Sequence, residues 1–221
     1  MTKVIPAIIP TSRQHLEAML EKVGTFTDTC QVDIVDGVFV GPASWPYSKM
    51  NDLETALATV SFDALAVSLD LMIQNPEEVL DTWLRTKPAR MIVHVEAVTD
   101  LDAVLTHAET HGYQLGLAFN NTTDLSLLGT LDLAAVDFVQ LMGIETIGKQ
   151  GQPFDERVLS RIVYIKETYP DMPVSIDGAV STETLPKLRR SGANRFVSGS
   201  AILCAPDAAR AYRELSQLAG G

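Results

Sequence analysis

The sequence predicts an α/β fold built as one (β/α)8 barrel spanning residues 1–221, and three observations carry that expectation. Eight short apolar runs alternate with eight stretches that read as helices. The runs are continuous and rich in β-branched residues, as expected of parallel strands covered on both faces. An open dinucleotide-binding sheet would need a Gly-x-Gly-x-x-Gly turn after the first strand, and that position holds Pro10-Thr11-Ser12 instead.

The elements follow in order. Val4 to Ile9 is strand one, ended by Pro10, and Thr11-Ser12 caps a helix whose apolar face is Leu16, Met19, Leu20 and Val23. Cys30 to Gly37 is strand two. Val38 to Lys49 is rich in Gly, Pro and aromatic residues and reads as a long loop, with Trp45, Tyr47 and Met50 placed either to cover a site or to meet another subunit. Asn51-Asp52 starts the next helix. Leu65 to Met72 is strand three, and Asn75-Pro76-Glu77-Glu78 carries a capping Asn, a Pro at the first helical position and early acids, a strong helix start. Met91–Val95, Leu115–Phe119, Asp137–Met142, Val174–Asp177 and Arg195–Ser198 are strands four to eight, each followed by a helical stretch.

Composition narrows the function. The chain has 17 Lys and Arg against 28 Asp and Glu, a net charge of −11, with no basic run. A nucleic-acid or anionic-membrane surface needs a basic stripe and is excluded. An anionic ligand must therefore be held by local groups against the overall field. Two distant cysteines, Cys30 and Cys204, both in apolar settings, suggest reduced thiols. With no signal-like start and no long apolar run, the expected location is cytoplasmic.

In a barrel of this kind the chemistry sits at the C-terminal ends of the strands. Polar residues interrupting those strands are Gln31 and Asp33 on two, Ser68 and Asp70 on three, His94 with Glu96 on four, Gln140 on six, and Ser175 and Asp177 on seven. A turn explains Asp36 beside Gly37. It does not explain Asp33, which has apolar neighbours on both sides, where a lone charge costs several kcal/mol. Asp33, Asp70 and Asp177 can converge, and three carboxylates that close need a hard cation or a proton between them. His94 reads equally as a core or a site residue, and His15, His107 and His111 as solvated helix residues. Gly178-Ala179, Gly199-Ser200 and the loop Gly148-Lys149-Gln150-Gly151 form a second constellation, whose small residues let backbone N–H groups approach a phosphate.

Val32-Asp33-Ile34-Val35-Asp36-Gly37-Val38-Phe39-Val40 resembles the strand-two motif of the ribulose-phosphate 3-epimerase family, His-Val-Asp-Val-Met-Asp-Gly-x-Phe-Val. Leu71-Met72-Ile73, His94-Val95-Glu96-Ala97, Gly151-Gln152-Pro153-Phe154, Ile176-Asp177-Gly178-Ala179-Val180 and Gly199-Ser200-Ala201-Ile202 also match, in order, from end to end. The resemblance implies a barrel of the ribulose-phosphate-binding type that inverts one carbon of a phosphorylated ketose through a cis-enediolate. Asp33 and Asp177 would be the acid/base pair, and Ala7, Met72, His94 and Met142 further pocket residues. It also implies a phosphorylated sugar as ligand and a homo-oligomer.

The sequence departs from that pattern at the metal site. Of the family's His, Asp, His, Asp ligands, the positions here are Gln31, Asp33, Asp70 and Asp177, so both imidazoles are replaced. Ala7 stands where the family has Ser, and Thr146 to Gly151 replaces its Pro-Gly-Phe-Gly-Gly loop. An oxygen-rich set favours magnesium or manganese over zinc or iron, or no metal at all. The alternative function is a non-catalytic, regulatory phosphosugar-binding barrel. A decarboxylase like the orotidine-phosphate group needs a strand-three Lys, and Ser68-Leu69-Asp70-Leu71-Met72 has none.

Overall fold

The computed structural model describes residues 2–49, 52–149 and 151–220. Eight parallel strands, β1 (Lys3–Ile8), β2 (Thr29–Val35), β3 (Ala66–Met72), β4 (Arg90–His94), β5 (Gln114–Phe119), β6 (Phe138–Met142), β7 (Val174–Asp177) and β8 (Arg195–Ser198), close into a barrel. Each strand pairs with its neighbour in the chain, and β8 returns to β1. The helices are α1 (Arg13–Gly24), α2 (Leu53–Leu57), α3 (Leu80–Leu84), α4 (Leu101–His111), α5 (Arg157–Thr168), α6 (Leu185–Arg190), α7 (Ser200–Leu203) and α8 (Ala208–Ala219).

The strand sequences explain the layering. Successive side chains point to opposite faces. Val32, Ile34, Leu69, Leu71, Val139, Leu141 and Ile176 join one core with Leu16, Val104, Ile162 and Leu215 of the helices. Each such residue contributes about 1.5–3 kcal/mol by leaving water. The alternate residues face the barrel axis and carry the polar groups. Register sets Asp33 beside Asp70, Gln31 beside Ser68 and Ala7, Gln140 beside Ser175, and Met142 beside Asp177. Inside the barrel, Ile92, Ala118 and Phe138 form an apolar plug. Gly116 admits that ring, since a Cβ there would lie 2.4 Å from Phe138 Cζ. The Arg195 guanidinium covers it, 4.6 Å from the centroid.

Two connections differ from the sequence expectation. Asn75 adopts a left-handed backbone (φ 51°) and caps nothing. Its Oδ1 instead accepts from Thr99 Oγ1 at 2.8 Å, and Glu77 Oε1 accepts from the N–H groups of Thr99 and Asp100. The polar groups that signal a helix are engaged by a neighbouring loop, so only a 3-10 turn (Pro76–Glu78) and the short α3 form. In the loop after β2, Trp45 is buried and the partly buried Tyr47 packs against the main core, and neither lines the cavity at the barrel mouth. Met50 lies outside the described residues. Cys30 is buried as expected, but Cys204 is exposed; both are free thiols.

Candidate active site

Strands β2, β3 and β7 deliver Asp33, Asp70 and Asp177 to one point at the C-terminal end of the barrel, all three buried. One oxygen from each lies within 4.8 Å of the others. The Gln31 amide nitrogen sits among them, donating to Asp177 Oδ2 at 2.7 Å, to Asp33 Oδ1 at 2.8 Å and more weakly to Asp70 Oδ2 at 3.4 Å. Gln140 Nε2 also donates to Asp70 Oδ2 at 2.8 Å, while Ser175 Oγ donates to Gln140 Oε1 at 3.3 Å. Asp70 is thereby held from behind by β6 and β7.

This crowding shifts the carboxyls upward. Burial first, then the carboxylates of Asp177 and Asp70, push Asp33 well above the ordinary range, against the hydrogen bond from Gln31. Burial and Asp70 push Asp177 up to about 7, with Gln31 and His94 opposing. His94 is fully buried, its Nε2 3.2 Å from Asp70 Oδ1 but too far out of line for a hydrogen bond. Burial alone would lower its pKa; the carboxylates of Asp70, Glu96 and Asp177 outweigh that and raise it. Asp36, by contrast, shapes the loop: Oδ1 accepts from Val38 N and Phe39 N, and Oδ2 from Gln74 N.

The donor set fits a hard divalent cation. Asp70 Oδ1 is buried and accepts no hydrogen bond. Two further carboxylates stand beside it. Turning the Gln31 amide about its last bond exchanges its nearly isosteric N and O, aiming a fourth oxygen at the same point. Four oxygens without an imidazole suit magnesium or manganese rather than zinc.

A cavity of about 320 Å³ opens over Asp33 and Asp177. Ala7 and Met142 line it, as do Gly148, Gly151, Gly178, Ala179, Gly199 and Ser200 from the loops after β6, β7 and β8. Gly178 has a backbone only glycine adopts readily (φ 95°), and a Cβ there would meet Ile144 Cγ1 at 2.7 Å. Ala179 is left-handed as well (φ 52°), and its carbonyl accepts from Thr184 Oγ1 at 2.6 Å. Gln150 lies outside the described residues. Of the residues selected from the sequence as ligand or pocket positions, Gln31, Asp70, Met72 and His94 do not line the cavity. Met72 packs beside it with Val35, Met142, Ile144 and Ile147, and Asp70 and His94 form a layer behind. Lys149 is the one cation lining the cavity among the described residues, and Glu183 also lines it. The sequence reading passes over it in favour of the glycines of its loop; an isolated Lys in so acidic a chain is the available signal.

With this geometry in place, comparison with known proteins decides the family. Residues 3–203 match the Ribulose-phosphate 3 epimerase family. The chain belongs to that family. It is 29% identical over 187 residues to a ribulose-phosphate 3-epimerase of Chlamydia pneumoniae, covering 82% of this chain and 77% of that one. The Bacillus subtilis ribulose-phosphate 3-epimerase is 27% identical over 221 residues, covering 97% and 98%. Among solved structures, the 3-keto-L-gulonate-6-phosphate decarboxylase from Vibrio cholerae superposes with a TM-score of 0.68 at 14% identity, covering 98% of each chain. That last likeness concerns the fold. Among the described residues, no helix is long and apolar enough to cross a membrane.

Proposed function

We propose that this chain epimerises or isomerises a phosphorylated ketose by proton transfer at the carbon next to its carbonyl, with Asp33 and Asp177 as the acid/base pair. The observation that supports this most is the pairing itself. Two buried carboxyls from strands on different sides of the barrel share one amide donor and face one cavity; burial and crowding raise both above the ordinary carboxylate range, Asp177 to about 7. Abstracting a proton α to a carbonyl requires a base on one face and an acid on the other, each near neutral pKa. Carboxylates this close do not all ionise together, so one holds a proton while the other accepts one.

The remaining cavity accounts for the rest of the substrate. The backbone of Gly178, Ala179, Gly199 and Ser200 approaches the phosphate, with Lys149 adding positive charge on the same side. A cation held by Asp33, Asp70, Asp177 and the Gln31 amide oxygen would supply positive charge beside the developing enediolate oxygens. Ribulose-phosphate 3-epimerases as relatives, and a neighbour of like fold named for a phosphorylated sugar acid, support this substrate class.

Incubating the metal-analysed protein with ribulose 5-phosphate in deuterated water should place deuterium at the epimerised carbon. Asp177→Asn should abolish that exchange while leaving inorganic phosphate affinity nearly unchanged. If no ketopentose or ketohexose phosphate exchanges, with or without added magnesium or manganese, the chain is a binding barrel and not an epimerase.

A further inference from the structure

A second group of metal-ligating side chains lies on the outer helix ring. His111 occupies the last turn of α4 and Tyr113 leads into β5, which puts the group toward the N-terminal end of the strands, opposite the mouth. The sequence reading makes His107 and His111 solvated; in the structure the side chain of His107 is only 17% exposed and is bonded through both ring nitrogens. Spaced four residues apart, His107 and His111 share one face of α4, and their ring centroids are 4.4 Å apart. Asp81 of α3 meets them. Its Oδ1 is 3.1 Å from His107 Nε2 and 3.8 Å from His111 Nε2, and one atom from each of the three residues lies within 4.8 Å of the others.

We propose that Asp81, His107 and His111 form a cation site distinct from the barrel mouth, taking a borderline transition-metal ion such as Zn²⁺ or Cu²⁺. Tetrahedral ligands on bonds of about 2.0–2.2 Å stand roughly 3.3–3.6 Å apart, and the two measured separations bracket that value. Two imidazoles and one carboxylate are the donors such ions select, where the mouth offers only oxygen. Tyr113 acts as a positioning residue. Its hydroxyl lies 3.0 Å from His107 Nδ1, so with an ion on Nε2 the Nδ1–H can donate to the Tyr113 oxygen and fix the ring. Without metal, the 3.1 Å hydrogen bond between His107 Nε2 and Asp81 Oδ1 spans the place the ion would take. Asp81 and His111 are exposed enough to give an entry path and leave a position for water. The nearest opposing cation, Arg85, is drawn off by Glu54 at 3.0 Å. An ion here ties α3 to α4 across 26 residues of chain.

Chelator-stripped full-length protein is titrated with Zn²⁺ while its Tm is followed, and with Cu²⁺ while nitrogen hyperfine coupling is read by electron paramagnetic resonance. One equivalent should bind with a two-imidazole signature and raise Tm with ion concentration. Asp33→Asn/Asp177→Asn protein should keep that equivalent. His111→Ala should weaken it by at least about tenfold, and Tyr113→Phe by about tenfold, since outer-shell partners of ligating histidines contribute on that scale. The metal-free Tm of His111→Ala reports that the variant is folded. Undiminished affinity in His111→Ala, absence of nitrogen coupling, or loss of the equivalent in the Asp33→Asn/Asp177→Asn protein would each overturn the proposal.

Discussion

At the barrel mouth, Asp33 and Asp177 are buried and their carboxyls titrate above the ordinary range; on the outer ring, the exposed carboxyl of Asp81 titrates below it. Asp81 is lowered by its hydrogen bond to His107, then by the charges of His107, His111 and Arg85. The side chain is the same and the sign is opposite. In the mouth, loss of hydration dominates, and the neighbours are like charges that make ionisation harder. On the ring, water remains and the neighbours are cationic or hydrogen-bond donors. One arrangement holds protons near neutrality, as proton transfer demands, and the other holds ligands ready for an ion.

The largest effect expected from this contrast is on chemistry. Asp33→Asn should lower solvent exchange into a ketose phosphate by about 10³-fold or more, the scale of a lost general acid or base. Asp81→Asn should leave exchange unchanged. Equal losses in both variants would mean that exchange tracks folding and not the mouth.

Stability gives a smaller effect with a diagnostic pH dependence. Asp177 has an ordinary pKa of 3.8 and about 7 in the fold. Between those values the folded chain binds the extra proton, so stability falls as pH rises through that window, and above pH 7 the penalty is fully present. Asp177→Asn removes it. The variant should therefore melt several degrees above the parent at pH 8, on the order of 2 kcal/mol, with little difference near pH 4. Magnesium or manganese should narrow the gap at pH 8 by stabilising the parent alone. A variant melting lower at pH 8 than the parent, without metal, would show that Asp177 is a structural acceptor.

Much of this was legible in the strands. A carboxylate inside an apolar β-branched run has few structural explanations, so Asp33, Asp70 and Asp177 stood out, and Gln31 marked the departure from the family's metal ligands. Depth was harder to read. Asp33 reaches the cavity whereas its register partner Asp70 lies behind it, because strand tilt and stagger, not residue type, decide which of two neighbours meets the opening. Trp45 looked free either to cover a site or to meet another subunit because Gly and Pro surround it. Ser44 N donating to Val35 O and Trp45 N donating to Pro10 O fold the loop back on β1 and β2 and bury the ring. Pro76 does open a helical turn, but Asn75 fails as its side-chain cap because its Oδ1 finds a partner in the next loop. The outer cluster was invisible for a similar reason: Asp81 is 26 residues from His107, and nothing local joins them.

The smallest effect should reverse the sign seen at the mouth. Asp81 is held below its ordinary pKa, so its contribution to stability is present above the unfolded pKa and is lost as pH falls through the folded one. Asp81→Asn should therefore melt slightly below the parent at pH 8 without metal, the converse of Asp177→Asn. The difference should fade as pH falls below the ordinary carboxylate pKa and through the lowered one, where Asp81 itself takes up a proton. It should also shrink in 1 M salt, where the Debye length is about 3 Å and exposed charges no longer see one another. The Asp177→Asn difference should survive that salt, because burial, the larger cause of its shift, is not screened by dissolved ions. Salt erasing both differences equally would mean that burial is not what separates the two sites.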